Sequence, residues 1–381
     1  MPEGGAAAAA GSGTDVKQFR SSSDFSNYFC EYAKLHHQKG MLTDMLRMRS
    51  YHAAIVGNPA CFKDKVVLDV GSGTGVLAIW AAQAGAKKVY AVEATSMARH
   101  ARTLVASNGL SDIVEVIQGK VEDTVLPEKV DIIVSEWMGY LLVRESMLDS
   151  VIAARDKFLK PDGALYPSHA AIKWGAVCGE GIKDQQEGLY ANSMREWEDF
   201  AEGIKEDFNL DVSALTEEYD TENQEYYLGQ AYYRNLESNQ LLTADTASVH
   251  ELDLKTVTVA ELLELRSSFR LKVVHQGIAT ALACWFTASF KGCASHPSDP
   301  EATFVLDTGP LAGETHWGQQ VFYLAETVPV KLGDAIDVTA VIARHEENER
   351  MVICTVGVEH KPVAKSGATP FKAEPKPYHI Q

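Results

Sequence analysis

The chain is short of positive charge. Its 35 lysines and arginines face 52 aspartates and glutamates, a formal net charge of −17 over 381 residues. A surface that neutralises phosphates needs the opposite balance, so direct nucleic-acid binding is excluded as a main role. Such a field suits basic protein partners, which it attracts and steers. Cysteine is sparse as well. Cys30, Cys61, Cys178, Cys284, Cys293 and Cys354 are scattered, with no CxxC pair and no metal-ligand spacing. This excludes a metal site and fits reduced thiols in an intracellular protein. No apolar run is long enough to span a bilayer, so no membrane role is expected. The N-terminus, Met1-Pro2-Glu3 and then an Ala6 to Ala10 run, lacks the basic start of a signal peptide. A nuclear-type basic cluster is also missing, which leaves both nucleus and cytoplasm as expected locations.

What is present is enough apolar material, 46% of residues, for a sizeable core in two or three domains. Residues 1–23 are Gly, Ala and Ser with few large apolar side chains, and should be a disordered tail. Residues 24–51 turn helical: Tyr28, Phe29, Tyr32, Leu35, Met41, Leu42, Met45 and Met48 recur at spacings of three and four, with Gly40 as the expected break. Residues 52–167 alternate strands, near 66–70, 88–93, 113–118, 130–135 and 163–166, with stretches long enough for crossover helices. That predicts an α/β, Rossmann-like, largely parallel sheet. Lys160-Pro161-Asp162-Gly163 reads as a turn before the last strand.

Pro167 begins a different texture. Residues 168–381 read mostly as strands: 170–178, 248–258, 269–276, 281–290, 319–326, 335–344 and 351–357. Crossover helices are missing there, so an antiparallel, β-barrel-like domain is expected. An insert at 182–240, rich in acids and tyrosine and helical over Met194 to Phe208, is too long for a structureless loop and should fold on something.

Two stretches carry chemistry. Val66-Val67-Leu68-Asp69-Val70 is followed by Gly71-Ser72-Gly73-Thr74-Gly75 and then by the helical run Val76 to Ala82. The glycines allow a tight turn and close approach to a ligand, and the helix start offers free N–H groups. The next strand ends in Glu93, twenty residues after Gly73, where an acid can bond a ribose. The spacing is GxGxG, not GxGxxG, which disfavours a nicotinamide dinucleotide and leaves a nucleoside-bearing ligand. The second stretch, Ser135-Glu136-Trp137-Met138-Gly139-Tyr140 with Arg144-Glu145-Ser146-Met147, follows the apolar run Val130 to Val134. It places two carboxylates at the edge of the sheet where ligands bind. Like charges brought together need a cation between them. A guanidinium, with its flat fork of donors, is the natural guest. Trp137, Met138 and Tyr140 favour a dry pocket over a solvated loop.

VLDVGSGTG, the acid in AVEAT, SEWMGY with its RESM continuation, and Thr315-His316-Trp317 together resemble the protein arginine N-methyltransferases, from about Tyr28 to the end of the chain. The glycine loop is shared by many S-adenosylmethionine enzymes. The double-glutamate loop and the THW element are specific to this family. The resemblance implies S-adenosyl-L-methionine as cofactor, shaped by Gly71, Gly73 and Gly75, with Asp69 bracing the turn and Glu93 on the ribose. It implies Glu122 near the adenine, and Arg47, in a motif like MLxDxxR, on the cofactor carboxylate; read without the resemblance, Arg47 is a surface salt bridge. Tyr28 and Met41 would border the cofactor, and Tyr32, Met147 and Trp317 the substrate. Glu136 and Glu145 would clamp the guanidinium. His316, paired with Asp44 beside the pocket, would fix the N-terminal helix or carry off a proton. Met41 and Met147 match pocket positions of the asymmetric-dimethylating members, which implies ω-monomethyl and asymmetric dimethylarginine. The family carries an arm where this chain has the 182–240 insert, which implies a head-to-tail homodimer. Basic or Arg/Gly-rich proteins, histones among them, would be the substrates. Many members have histidine where this chain has Gln38, and any role of that histidine is in doubt here. Two other readings are a methyltransferase for a non-arginine substrate and an inactive dimeric scaffold.

Overall fold

The structure is a computed structural model, and it describes residues 28–179, 182–244, 248–293, 295–298, 304–363 and 370–380. The expected disordered tail lies outside the described residues. Residues 28–32 form a helical turn, followed by helices Leu35–Thr43 and Met45–Ile55. The break expected at Gly40 falls instead at Asp44, which is extended (ψ 95°). Its carboxylate accepts from Arg47 N at 2.9 Å and so starts the second helix. Gly40 stands in open space within the first helix and is tolerated there.

Strands β1 (Val66–Val70), β2 (Lys88–Glu93), β3 (Val114–Gln118), β4 (Val130–Val134) and β5 (Leu159–Tyr166) form a parallel sheet in the order β3-β2-β1-β4-β5. β1 is buried at every position, as a strand covered on both faces must be. The order reverses between β1 and β4, so their C-terminal ends border the crevice where such sheets bind ligands. Ser135 Oγ donates to the Val70 carbonyl at 2.8 Å and ties those two ends together. The turn expected at Lys160–Gly163 lies within β5. It is absorbed by a register shift, Val130 pairing with Leu159 and Ile132 with Ala164.

Beyond Tyr166 the named strands pair antiparallel among the described residues, with one isolated parallel bridge between Gln230 and His379. β6 (His169–Val177), β7 (Tyr232–Arg234), β8 (His250–Asp253), β10 (Gly277–Ser289), β13 (Val305–Asp307) and β14 (Gln319–Val330) form one sheet, ordered β7-β14-β10-β6-β8 with β13 on β10. β9 (Glu264–Lys272), β15 (Ala335–Arg344), β16 (Val352–Lys361) and β17 (Phe371–Ile380) form a second, ordered β17-β16-β15-β9. A small hairpin, β11 (Gly292–Cys293) with β12 (His296–Pro297), stands apart. Trp174 of β6 lies 5.9 Å from Phe269 of β9, and Phe322 of β14 lies 5.2 Å from Tyr378 of β17, so aromatic contacts join the two sheets into a barrel-like body. The long strand expected over 248–258 is only β8. Thr258 and Glu261 then cap a short helix, Val259–Leu262, through a capping box. The strand expected at 269–276 ends earlier, as β9.

The 182–240 insert is helical over Ile182–Phe208, 27 residues, well beyond the stretch expected. A second helix, Thr216–Asn223, folds back on it. Trp197 stacks on Tyr219 at 4.2 Å and donates to Thr216 Oγ1 at 3.0 Å. Phe200, Phe208, Leu210, Leu215 and Tyr226 stay exposed.

Candidate active site

The glycine loop leaves β1 with Gly71, Gly73 and Gly75 at φ of 69°, 54° and 83°. Side chains rarely adopt that conformation. Space is tight as well, but only against flexible side-chain ends: a Cβ at Gly71 would press on the Met147 methyl, and one at Gly73 would lie 2.9 Å from Gln38 Oε1, so the backbone conformation is what requires glycine. Glu93 accepts from Gly73 N and from Thr95 N, each at 2.8 Å. The bracing expected of Asp69 is therefore done by Glu93. Asp69 sits beneath the loop and accepts from Ala78 N at 3.0 Å, capping the helix Val76–Gln83. Its Oδ1 is buried without a hydrogen-bond partner among the described residues. Burial pushes this carboxyl up to about 8; the Ala78 bond opposes the rise, and Glu93 adds to it.

The double-glutamate loop begins directly after β4. Leu141, Leu142, Glu145 and Ser146 all have positive φ, between 52° and 79°. For non-glycine residues that is strain, and the surroundings must hold it in place. Tyr51 OH donates to Ser135 O at 3.0 Å, and Trp317 Nε1 to Met138 O at 2.8 Å. Glu145 N donates to Arg350 O at 2.7 Å, and Arg350 Nη1 returns a bond to Glu145 O at 2.6 Å. Ser146 Oγ donates to Glu349 O. Trp137 and Met138 are buried, as the dry-pocket reading requires.

Both carboxylates are held by the chain's own arginines. Arg47 Nε and Nη2 reach Glu136 Oε2 at 3.1 and 3.0 Å, and Met138 N donates to Oε1 at 3.1 Å. The Arg47 side chain is only 12% exposed, so it is an internal ion pair and not a surface one. Glu145 accepts from Tyr32 OH at 2.7 Å and pairs with Arg144 Nη1 at 3.3 Å. Burial, reinforced by Glu145, holds the Tyr28 and Tyr32 phenols far above the usual tyrosine range, so both act as donors. The Arg350 guanidinium lies 3.9 Å from the Tyr28 ring centroid.

These groups surround one cavity of about 360 Å³. It brings together Tyr28, Tyr32, Met41, Arg47, Gly71, Gly73, Glu93, Glu122, Glu136, Glu145 and Met147 from the sequence expectations. Glu122 accepts from Ser150 Oγ at 2.6 Å. Gly75 and Asp69 support the wall without lining it. His316 and Trp317 do not line it either. His316 Nδ1 pairs with Asp44 Oδ2 at 2.7 Å, as the resemblance implied, but both residues face a neighbouring groove. Burial would raise the Asp44 carboxyl; bonds from His316 and from the Arg47 and His316 amides outweigh it and hold Asp44 below the ordinary range. Trp317 is buried beneath the loop against Phe286, supporting Met138 from behind. Three lining or flanking residues had no role in the sequence reading. Gln38 is buried, donates to Tyr32 O at 3.0 Å and lies against the glycine loop. Arg144 was visible only as the neighbour of Glu145. Arg350 gave no signal, because its partners lie more than 200 residues away in sequence.

A nucleoside-bearing ligand fits this cavity. Its volume lies in the usual range for small-molecule sites. One wall is a glycine cradle that any side chain would fill, and Ser72 Oγ is buried there without a partner among the described residues. The sheet order, the loop after β1 and the acid ending β2 define a methyltransferase of the Rossmann type. Family models match a methyltransferase domain at residues 67–163 and the arginine methyltransferase oligomerization subdomain at residues 175–360. The chain is 46% identical over 357 residues to protein arginine N-methyltransferase PRMT10 of Oryza sativa subsp. japonica, covering 92% of each chain. It is 42% identical over 381 residues to PRMT10 of Arabidopsis thaliana, covering 99% of this chain and 97% of the relative. The solved Arabidopsis PRMT10 structure superposes with a TM-score of 0.88 over 93% of this chain and all of that one, at 42% identity. The Trypanosoma brucei PRMT1 enzyme–prozyme complex with AdoHcy superposes at 0.73 with 30% identity, covering 92% of this chain and 99% of that one. The chain belongs to the protein arginine N-methyltransferase family. Its cofactor is S-adenosyl-L-methionine.

Proposed function

We propose that the chain is a type I enzyme, making ω-monomethyl and asymmetric dimethylarginine in basic or Arg/Gly-rich proteins, histones among them. The observation that carries this reading is that both acids of the double-glutamate loop border the same cavity as the glycine loop and Glu93. S-adenosyl-L-methionine supplies an activated methyl group, so no enzyme nucleophile is needed. Gly71 and Gly73 would admit the cofactor, Glu93 and Glu122 would hold its nucleoside end, and Arg47 would hold its carboxylate from its place on Glu136. Glu136 and Glu145 bind the substrate guanidinium, whose pKa is above about 12. They draw positive charge away from the nitrogen that reacts and aim it. Tyr32 fixes Glu145 through their 2.7 Å bond. The extra proton leaves through Glu145 or through water and His316. Met41 and Met147 are slender and adaptable, which leaves room for a second methyl on one nitrogen.

The parts divide the work nearly as the sequence suggests: N-terminal helices over the cofactor, the second of which runs past residue 51 to Ile55, then the methyltransferase domain to 167, and the barrel from 168. The exposed apolar side chains of the 182–240 arm support a head-to-tail homodimer. The cysteines among the described residues are all free thiols, which supports an intracellular location, nucleus or cytoplasm. The test is incubation with labelled S-adenosylmethionine and an Arg/Gly-rich peptide, then separation of methylarginines after hydrolysis. Asymmetric dimethylarginine that disappears in Glu145→Gln is the expected result. Symmetric product would refute the methionine argument, and label in no arginine would refute the substrate class.

A further inference from the structure

The two acids of the proposed clamp have different keepers. Arg47 grips Glu136 with two nitrogens at 3.0 and 3.1 Å. Arg144 reaches Glu145 Oε1 through Nη1 alone, at 3.3 Å. A good charge-assisted bond is shorter, about 2.7–2.9 Å. The other contacts of Arg144 are equally slack. Nε stands 3.4 Å from the Ile380 carbonyl, Nη2 lies 3.6 Å from Met351 Sδ, and the guanidinium is 5.6 Å from the Tyr140 ring centroid. Glu145 lines the cavity and Arg144 does not. The arginine thus meets the carboxylate from outside the space a substrate would enter.

We propose that Arg144 tunes substrate affinity: a placeholder guanidinium that balances Glu145 between turnovers and yields it to the substrate arginine. The proposal rests on reading Glu145 as part of the guanidinium clamp. A carboxylate beside an apolar cavity is costly without a cation. A loosely held resident cation removes that cost, and each incoming substrate must then displace it. The exchange favours a guanidinium, whose planar fork matches the carboxylate, over a compact and strongly hydrated ammonium. Arg144 therefore weakens the apparent affinity for any cation that enters beside Glu145, and the preference for arginine stays with the carboxylate itself.

The test uses the full chain with S-adenosylmethionine and an Arg/Gly-rich peptide, comparing Arg144→Met and Arg144→Lys. Arg144→Gln replaces the methionine variant if that one does not fold. Butylguanidinium binding by calorimetry reads the same exchange in variants without turnover. The pair is part-exposed, so Arg144→Met should lower KM, and Kd for butylguanidinium, about two- to fivefold. Arg144→Lys should stay nearer the parent, and the gain should vanish in a Glu145→Gln background. KM unchanged or raised in Arg144→Met would overturn the proposal, as would the same gain in the Glu145→Gln background. A purely structural arginine would show lower thermal stability and lower kcat without a fall in KM. A Glu145→Gln enzyme with parental KM and kcat would refute the clamp reading itself.

Discussion

Glu136→Gln tests whether the Arg47–Glu136 pair is a unit that neither partner can leave. Glu136 accepts from two Arg47 nitrogens on one oxygen and from Met138 N on the other. Glutamine has a single acceptor oxygen. If it faces Arg47, its NH2 meets the Met138 N–H. If it faces Met138, its NH2 meets the guanidinium. One side must be lost in either case. The side chains are 12% and 10% exposed, so the stranded Arg47 charge has little water to turn to. Removing one member of a largely buried pair costs about 3–5 kcal/mol, mostly the uncompensated charge. The same logic says that Arg47→Met added to Glu136→Gln recovers much of that loss. The assay is urea unfolding followed by tryptophan fluorescence on the single and double variants. A coupling energy of about 2 kcal/mol or more is expected. A single variant within about 1 kcal/mol of the parent would refute the reasoning, and so would a double variant no better than Glu136→Gln alone.

Two further outcomes follow from the same geometry. The Asp69 carboxyl, pushed up by burial to about 8, keeps in the folded state a proton that the unfolded chain has already lost. Stability should therefore fall as pH rises from about 4 to about 8 through this group. Asp69→Asn should flatten the slope of urea midpoints between pH 6 and pH 8; parallel slopes would contradict the assignment. Arg350→Ala removes a 2.6 Å bond to Glu145 O and the guanidinium over Tyr28, together about 2–3 kcal/mol. Amide exchange at residues 28–33 should then accelerate, and affinity for S-adenosylhomocysteine should drop by about tenfold or more. Unchanged exchange there would show that Arg350 does not hold the turn.

Much of the parallel sheet was legible because β1, β2 and β4 are largely buried, and such strands are rich in apolar residues even where Asp69, Glu93 and Asp131 interrupt them. β17 was not legible. No strand was expected after 357, and Pro375 and Pro377 mask the pattern; yet β17 is an edge strand in the sheet order, where proline is tolerated, and the ladder shifts register between Val356 and Val358. Gly40 misled because propensity is a weak prior, whereas the extended Asp44 with its cap to Arg47 N ends one helix and starts the next. In the site, Glu136, Glu145, the glycines and Glu93 were legible from local motif and strand position. Their keepers were not. Arg47–Glu136, Tyr32–Glu145 and Arg350–Glu145 join residues 89 to 205 apart, and no local pattern encodes such an approach.

That division has a physical source in the double-glutamate loop itself. Four of its residues hold positive φ without being glycine, and each such residue costs about 1–3 kcal/mol unless its surroundings over-determine it. Backbone bonds within the loop, such as Gly139 N to Leu142 O and Arg144 N to Tyr140 O, each at 3.1 Å, supply part of this. The other restraints come from Tyr51 in the N-terminal helix, from Trp317 ahead of β14, and from Glu349 and Arg350 ahead of β16. Two of these three sources lie in the barrel half of the chain. The barrel therefore does more than carry the arm: it holds both ends of the loop that bears the acids. Trp317 reaches Glu136 through Met138, whose carbonyl it holds and whose N–H donates to Glu136 Oε1, and Arg350 reaches Glu145. A change in how the barrel packs on the sheet would therefore disturb both acids, Glu136 less because Arg47 also grips it.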